Sequence, residues 1–481
     1  MKESSRFYSS LGLLIILNVI IKPIWIFGID RQVQNVVGTE VYGTYFSLLN
    51  FSIVFSFLLD WGLTNYFNRQ LAVSEERVTS KIGSFLFIKV LFILLYAAVV
   101  LGVAFVFGVK QWDILLNVIA IQILTSLFLF FRSIVTARQW FSTDAWLSVL
   151  DKGLMILLCG SFLYFPSAAA TITIEKFLLI QIVCTALAVI VVLAVLIKRR
   201  IGFSFQINSL LNRDLFKSAL PFGMIVLLMS VHYRLDGFLL ERIHSNGAYE
   251  AGLYAGAYRL LDAANMIGYL LASFLLPFIA RQWSLKKSVD EVVLNSRHLL
   301  LLFSIVVITA VVFLAPWIQE LLYHSNDASA ITVLQWCLPV LAAYSLVQIY
   351  GTVMTATGQV IPFGYIVLLS VLLNIVLNLL LIPEWGAKGC CIAALASQGF
   401  CGIAAMLYVH RKSGINIHLR SLLMYIFIAA IVCGFYYWFS SIAVSKWILV
   451  FVAGLIAIIT AVLLKLIDIR KWRNIIKHNN L

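Results

Sequence analysis

Apolar stretches of about 20 residues, separated by short polar connections, recur from one end of the chain to the other. At a rise of 1.5 Å per residue, each stretch matches the roughly 30 Å hydrocarbon layer of a bilayer when helical. The pattern predicts fourteen membrane-spanning helices, at about 9–28, 43–66, 84–107, 113–135, 145–165, 175–197, 218–240, 251–280, 299–322, 329–355, 360–382, 389–409, 420–440 and 444–466. No soluble domain interrupts them. An even number of crossings places both termini on one side.

The polar connections at about 198–217 and 281–298 are the longest. The first carries a candidate amphipathic surface helix at Leu210–Leu215 and divides the chain. The resulting scheme is an N-terminal six-helix bundle over 1–200, a second six-helix bundle over 201–412, and two further helices with a basic tail over 413–481. A short internal match supports duplication: Tyr42-Gly43-Thr44-Tyr45 opens the second span, and Ala251-Gly252-Leu253-Tyr254 opens the eighth, 209 residues later. Glu40 and Glu250 precede them. Duplicated halves are common among transporters.

Composition agrees with this all-α polytopic membrane architecture. The chain has 481 residues, of which 62% are hydrophobic and 12% charged. Its net charge of +14 would suit a nucleic-acid partner if it were gathered in one hydrophilic patch, but it is spread over short loops. Topology explains it instead. Of the 35 basic residues, 23 fall on the side holding both termini and 6 on the other. By the positive-inside rule both termini are cytoplasmic. The start, Met1 to Arg6, runs into the first apolar stretch with no A-x-A-like cleavage site, as in a retained signal anchor. The seven cysteines lie mostly in apolar segments without metal-ligand spacing and read as small buried hydrophobes. No metal or cofactor site is expected.

The remaining six basic residues, Lys22, Lys89, Arg132, Lys152, Arg234 and Arg259, lie inside predicted spans. A cation at the bilayer centre costs roughly 2.5–3.5 kcal/mol, so such residues face a partner charge, water or an anionic ligand. Arg259, Lys22 and Lys152 sit about 10–12 Å from the nearer boundary. Lys89 and Arg132 lie close enough to the cytoplasmic boundary to read as snorkelling anchors. Asp262 follows Arg259 by one turn, Asp236 is two residues from Arg234, Asp151 adjoins Lys152, and Asp60 ends the second span. A structural ion-pair network competes with a binding site, but the deep set favours cation and hence an anionic substrate. His232 reads as a core residue, and most tryptophans, including Trp25, Trp61 and Trp438, as interfacial belt residues. Pro23, Pro221, Pro277 and Pro339 fall in or beside spans, where they permit bends.

Several motifs resemble those of the polysaccharide flippases, the Wzx-like transporters of O-antigen and capsule repeat units. The first bundle carries Gly38-x3-Tyr42-Gly43-x-Tyr45, Leu59-Asp60-Trp61-Gly62-Leu63 and Arg69. The second carries Ala219-Leu220-Pro221, Arg234-Leu235-Asp236, Gly252-Leu253-Tyr254, Tyr258, Leu276-Pro277 and Arg281. Further on come Ala356-Thr357-Gly358, Asn374, Asn378, Ile382-Pro383, Gly386-Ala387-Lys388-Gly389 and Ala393-Ala394. In order, they cover roughly residues 10–410.

The resemblance implies the superfamily of multidrug, oligosaccharidyl-lipid and polysaccharide exporters, with two six-helix bundles around a central cavity and two extra helices, a MATE-like fold. It implies an undecaprenyl-diphosphate-linked oligosaccharide as substrate, moved from the cytoplasmic to the outer leaflet of a bacterial inner membrane by alternating access. A polysaccharide polymerase, a chain-length regulator and membrane lipid would be its partners. Arg259, Lys22, Lys152 and Arg234 would bind the diphosphate. An H⁺ or Na⁺ gradient would drive the cycle, since no ATP-binding motif is present, with Asp60, Asp236 and Asp262 as candidates for coupling or pairing. A cation-coupled multidrug antiporter of the same fold is the alternative, and it would favour acids over bases in its cavity. The chain has no HExxH, P-loop or nucleophile elbow and no large outer loop, so an enzyme is not expected.

Overall fold

The structure, a computed structural model, describes residues 2–61, 64, 82–165, 172–201, 213–440 and 444–466, with side chains described from residue 12 onward except at 15, 84 and 213–222. Nearly all of these residues are helical, and the chain is an all-α polytopic membrane protein. Gly62, Leu63 and Arg69 of the first motif lie outside the described residues, as do residues 210–212 of the amphipathic helix expected at Leu210–Leu215.

In chain order the helices are α1 (Lys2–Pro23), α2 (Arg31–Val37), α3 (Thr39–Val54), α4 (Ile82–Val106), α5 (Trp112–Ala137), α6 (Phe141–Tyr164), α7 (Ile174–Lys198) and α8 (Arg213–Ile243). They continue with α9 (Gly247–Ser284), α10 (Asp290–Tyr323), α11 (Ala328–Cys337), α12 (Val340–Ala356), α13 (Val360–Ser413), α14 (Leu419–Phe439) and α15 (Lys446–Leu463).

Among the described residues, twelve helical stretches are long and apolar enough to cross a membrane. Two features account for the difference from fourteen. The second expected span appears as α3, of 16 residues, followed by a 3₁₀ turn at Ser56–Leu59, so that among the described residues it is not one continuous helix of spanning length. The eleventh and twelfth expected spans are fused into the 54-residue α13. That element is a hairpin. Asn374 Nδ2 donates to Ser397 Oγ at 3.3 Å, although 23 residues of straight helix would separate them by about 34 Å. The reversal is at Gly386, whose φ of 49° and ψ of −131° suit glycine, so the Gly386-Ala387-Lys388-Gly389 motif is the turn.

The first helix also differs from expectation. Instead of ending near residue 28 it passes Pro23 into a π-helical stretch, Ile24–Asp30, and runs on as α2 until Gly38 breaks it at φ 89°. Proline lacks the N–H that would keep the α register, and a π stretch is one way to absorb that. Arg31 is therefore helical rather than in a loop.

The chain falls into two compact units, one of residues 1–242 with 246–252, the other of 243–245 with 253–481. In the first, α4, α5, α6 and α7 share an apolar core that includes Phe85, Phe131, Leu147 and Val192. Residues 246–252, at the start of α9, pack on α3 so closely that a Cβ on Gly43 would collide with Ala248 O and Gly252 N. Gln34 Nε2 donates to Gly252 O at 2.9 Å beside them. In the second unit, α14 and α15 pack on α10. Ala453, Ala457 and Ala461, spaced by four, are at most 1% exposed, and such small residues let membrane helices approach. Arg297, 1% exposed, donates to Tyr350 Oη at 3.0 Å, Ile417 O at 2.6 Å and Ser421 Oγ at 2.5 Å, joining α10 to α12 and to the start of α14.

Candidate functional site

Helix α5 carries polar residues in a predominantly apolar sequence at positions 122, 125, 126, 132, 133 and 136. Their spacing of three and four places them on one face. That face lines a cavity of about 440 Å³ in the first unit, whose opposite wall is Ser56, Asp60 and Thr64 after α3 and Lys89 of α4.

Lys89 Nζ is 2.9 Å from Asp60 Oδ1. The lysine side chain is 1% exposed and the aspartate 32%, so the pair has a dry end and a wet end. Thr64 donates its amide, at 3.3 Å, and its hydroxyl to the same carboxylate. Lys89 is thus not the snorkelling anchor its depth suggests. The carboxylate that ends α3 holds it, and its Nζ also lies 5.9 Å from the Phe130 ring centroid.

Arg132 does not snorkel either. Its Nε and Nη2 bind the two oxygens of Asp144 on α6 at 2.6 and 3.1 Å, a bidentate pair, and Thr136 adds a hydroxyl donor at 3.1 Å. Asp144 itself is 4% exposed. Lys22, at the end of α1, lies within the electrostatic reach of Arg132, Asp151 and Lys152. Lys152 Nζ contacts Asp151 at 3.3 Å and sits 5.2 Å from the ring centroid of Trp25. Trp25, 9% exposed and stacked on Phe177 at 6.0 Å, is therefore a core residue and not part of an interfacial belt. Asn18 donates to Ser148 at 2.9 Å and ties α1 to α6 beside the cluster.

The first unit therefore gathers four basic side chains, Lys22, Lys89, Arg132 and Lys152, with three carboxylates, Asp60, Asp144 and Asp151, all on transmembrane elements or their ends. Among these seven side chains one positive charge is left over. Of the residues singled out from sequence, Lys22 and Lys152 meet here and Asp60 borders the cavity. Arg234, half-buried, and Asp236, 2% exposed, lie on α8 in the same unit. Arg259 and Asp262, both half-buried and one turn apart, lie on α9 in the second unit.

Hydropathy concealed other polar residues. Asp30, 2% exposed, accepts from Tyr42 at 2.9 Å within the π stretch, where the sequence suggests a loop. Gln122, Thr125 and Ser126 line the cavity but carry no charge, so an insertion-cost argument does not single them out. Their period on α5 was the available signal. All seven cysteines are free, and six of them are buried.

A sequence model for the family described as "Polysaccharide biosynthesis protein" matches residues 9–283. No curated protein sequence matches the chain. Among solved structures, the chain is similar to the lipid II flippase MurJ in an inward closed conformation, with a TM-score of 0.66 and 14% identity over 96% of this chain and 99% of that one. It is similar to a multidrug resistance MATE family transporter of the MOP superfamily in an inward-facing conformation, with a TM-score of 0.65 and 12% identity over 84% of this chain and 98% of that one. A MOP superfamily transporter from Pyrococcus furiosus, described as having a binding pocket of reversed polarity, gives a TM-score of 0.60 and 12% identity over 84% of this chain and 94% of that one. At these identities the likeness is one of fold.

Proposed function

The chain belongs to the polysaccharide biosynthesis protein family, and from that premise we propose that it is a flippase for undecaprenyl-diphosphate-linked oligosaccharides. It moves them from the cytoplasmic to the outer leaflet of a bacterial inner membrane, and alters no covalent bond in them. The observation that carries this reading is the membrane-embedded cluster of Lys22, Arg132 and Lys152, which retains positive charge after its carboxylates are counted. A diphosphate has to cross a layer of low dielectric, where its charge is costly and where fixed cations act with little screening. Lys22 and Lys152 are assigned to the diphosphate, with Arg234 and Arg259 as further cations along the transport path. Alternating access moves the headgroup, with 1–200, 201–412 and 413–481 as its working parts. An H⁺ or Na⁺ gradient supplies the energy, and Asp60, Asp236 or Asp262 couples to it. A polymerase and a chain-length regulator act on the product.

The test is complementation of a flippase-deficient strain, scoring surface polysaccharide and accumulated lipid-linked units. The expected result is restored polymer with the wild type, and at least a tenfold loss with Lys22→Ala or Arg259→Ala at equal protein level, about one charge-assisted contact each. Normal polymer with both variants would sink the cationic assignment. Increased resistance to cationic drugs without polymer would favour an antiporter.

A further inference from the structure

The cavity beside the cation cluster has a second chemistry, which the flippase reading leaves unassigned. Hydroxyls in membrane helices commonly turn back to the carbonyl one turn earlier, and this chain follows that habit: Ser133 bonds Phe130 O at 2.6 Å, Thr185 bonds Gln181 O at 2.8 Å and Ser304 bonds Leu300 O at 2.7 Å. Gln122, Thr125 and Ser126 do not. All three line the cavity, and none makes a hydrogen bond among the described residues. Ser126 is only 9% exposed. Polar groups left without partners in a membrane helix are expensive, so these three are held for whatever enters the cavity.

Their chemistry says what that is. A phosphate oxygen only accepts, and cations serve it best. The amide of Gln122 and the hydroxyls of Thr125 and Ser126 each both donate and accept, which matches sugar hydroxyls, themselves donors and acceptors. Ten residues separate Gln122 from Arg132, a rise of about 15 Å along one face of α5. Leu129, half-exposed between them, offers an apolar platform for the C–H face of a sugar ring.

We infer that Gln122, Thr125 and Ser126 form a neutral sugar-reading wall, which grips the oligosaccharide while the Lys22, Arg132 and Lys152 cluster holds the diphosphate. The inference rests on the flippase reading and adds that this pocket discriminates by sugar. Its test uses the full chain in vesicles and compares initial flipping of two substrates, undecaprenyl diphosphate carrying a complete repeat unit and undecaprenyl diphosphate carrying one sugar. The variants are Thr125→Val, Ser126→Ala and the triple Gln122→Leu, Thr125→Val, Ser126→Ala. Thr125→Ser, which keeps the hydroxyl, controls for packing.

The triple variant is expected to lose about tenfold on the complete unit, roughly one hydrogen bond's worth, and less than twofold on the single sugar. Lys22→Ala loses both, and Thr125→Ser keeps the wild-type preference. If the triple variant folds poorly, Ser126→Ala alone, which removes one oxygen, is expected to shift the preference the same way. Equal loss on both substrates, or no loss on either, overturns the sugar wall while leaving the flippase reading intact. A wild type that moves neither substrate overturns the flippase reading and the wall with it.

Discussion

Lys89 and Asp60 meet water unequally, and that asymmetry sets what each contributes. The ammonium is 1% exposed and the carboxylate 32%. Removing the carboxylate strands a buried cation, whereas removing the lysine leaves an acid that can still be hydrated. Asp60→Ala is therefore expected to cost about 3 kcal/mol of stability, and Lys89→Met about 1 kcal/mol, in thermal unfolding of the detergent-solubilised protein. Equal losses would mean that the pair shares one environment. The same residues show how far side-chain chemistry was legible in the sequence. Depth along a helix marks Lys22 and Lys152 as needing company, and the structure gives Lys152 the carboxylate of Asp151 and the ring of Trp25, and places Lys22 within electrostatic reach of Asp151. Depth misjudged Lys89 and Arg132, because an interfacial position is compatible with both snorkelling and pairing. What decides is a carboxylate 29 residues away for Lys89 and 12 away for Arg132. Neutral Gln122, Thr125 and Ser126 escaped because an insertion-cost argument weighs charge, whereas their information lies in helical period and missing partners.

At the scale of elements, apolar run length predicted nearly every helix, and two of the departures sit where glycine or proline intervenes. Pro23 and the π stretch carry the first helix on through Asp30, and Gly386 turns two spans into one hairpin. The repeat glycines have a packing role that spacing alone does not reveal. A side chain on Gly43 would press into the backbone of 248–252, and one on Gly252 would meet Thr39 O. Gly43→Val is expected to cost about 2 kcal/mol of thermal stability, whereas Gly102→Ala, with open space around its Cβ position, is tolerated. Arg297 is comparable. Loop charge counting treats it as one of many cytoplasmic basic residues, yet it is a buried tie between α10, α12 and α14. Arg297→Met leaves Tyr350 Oη and Ile417 O without this donor, while Ser421 Oγ keeps its bond to His418 O, with an expected cost of about 3 kcal/mol and faster proteolysis between α13 and α14. Arg297→Lys is expected to rescue only part, since an ammonium lacks the planar fork that serves several acceptors at once.

For the whole molecule, the remaining variable is orientation, on which the 23-to-6 division of basic residues along the sequence bears. If both termini are cytoplasmic, as that division implies, α5 runs inward. Arg132 then lies about 15 Å closer to the cytoplasm than Gln122 along the helix axis. A headgroup entering from the cytoplasm would meet the cations first and the neutral wall deeper in, so diphosphate capture would precede sugar reading. Alkaline phosphatase fused after Leu481 is expected to be inactive and a fluorescent protein at the same site bright, whereas phosphatase inserted in the turn at Gly108–Lys110 is expected to be active. The reverse pattern would invert the order of contact. The sugar wall would then face the incoming substrate, and the cations could not be its first capture point.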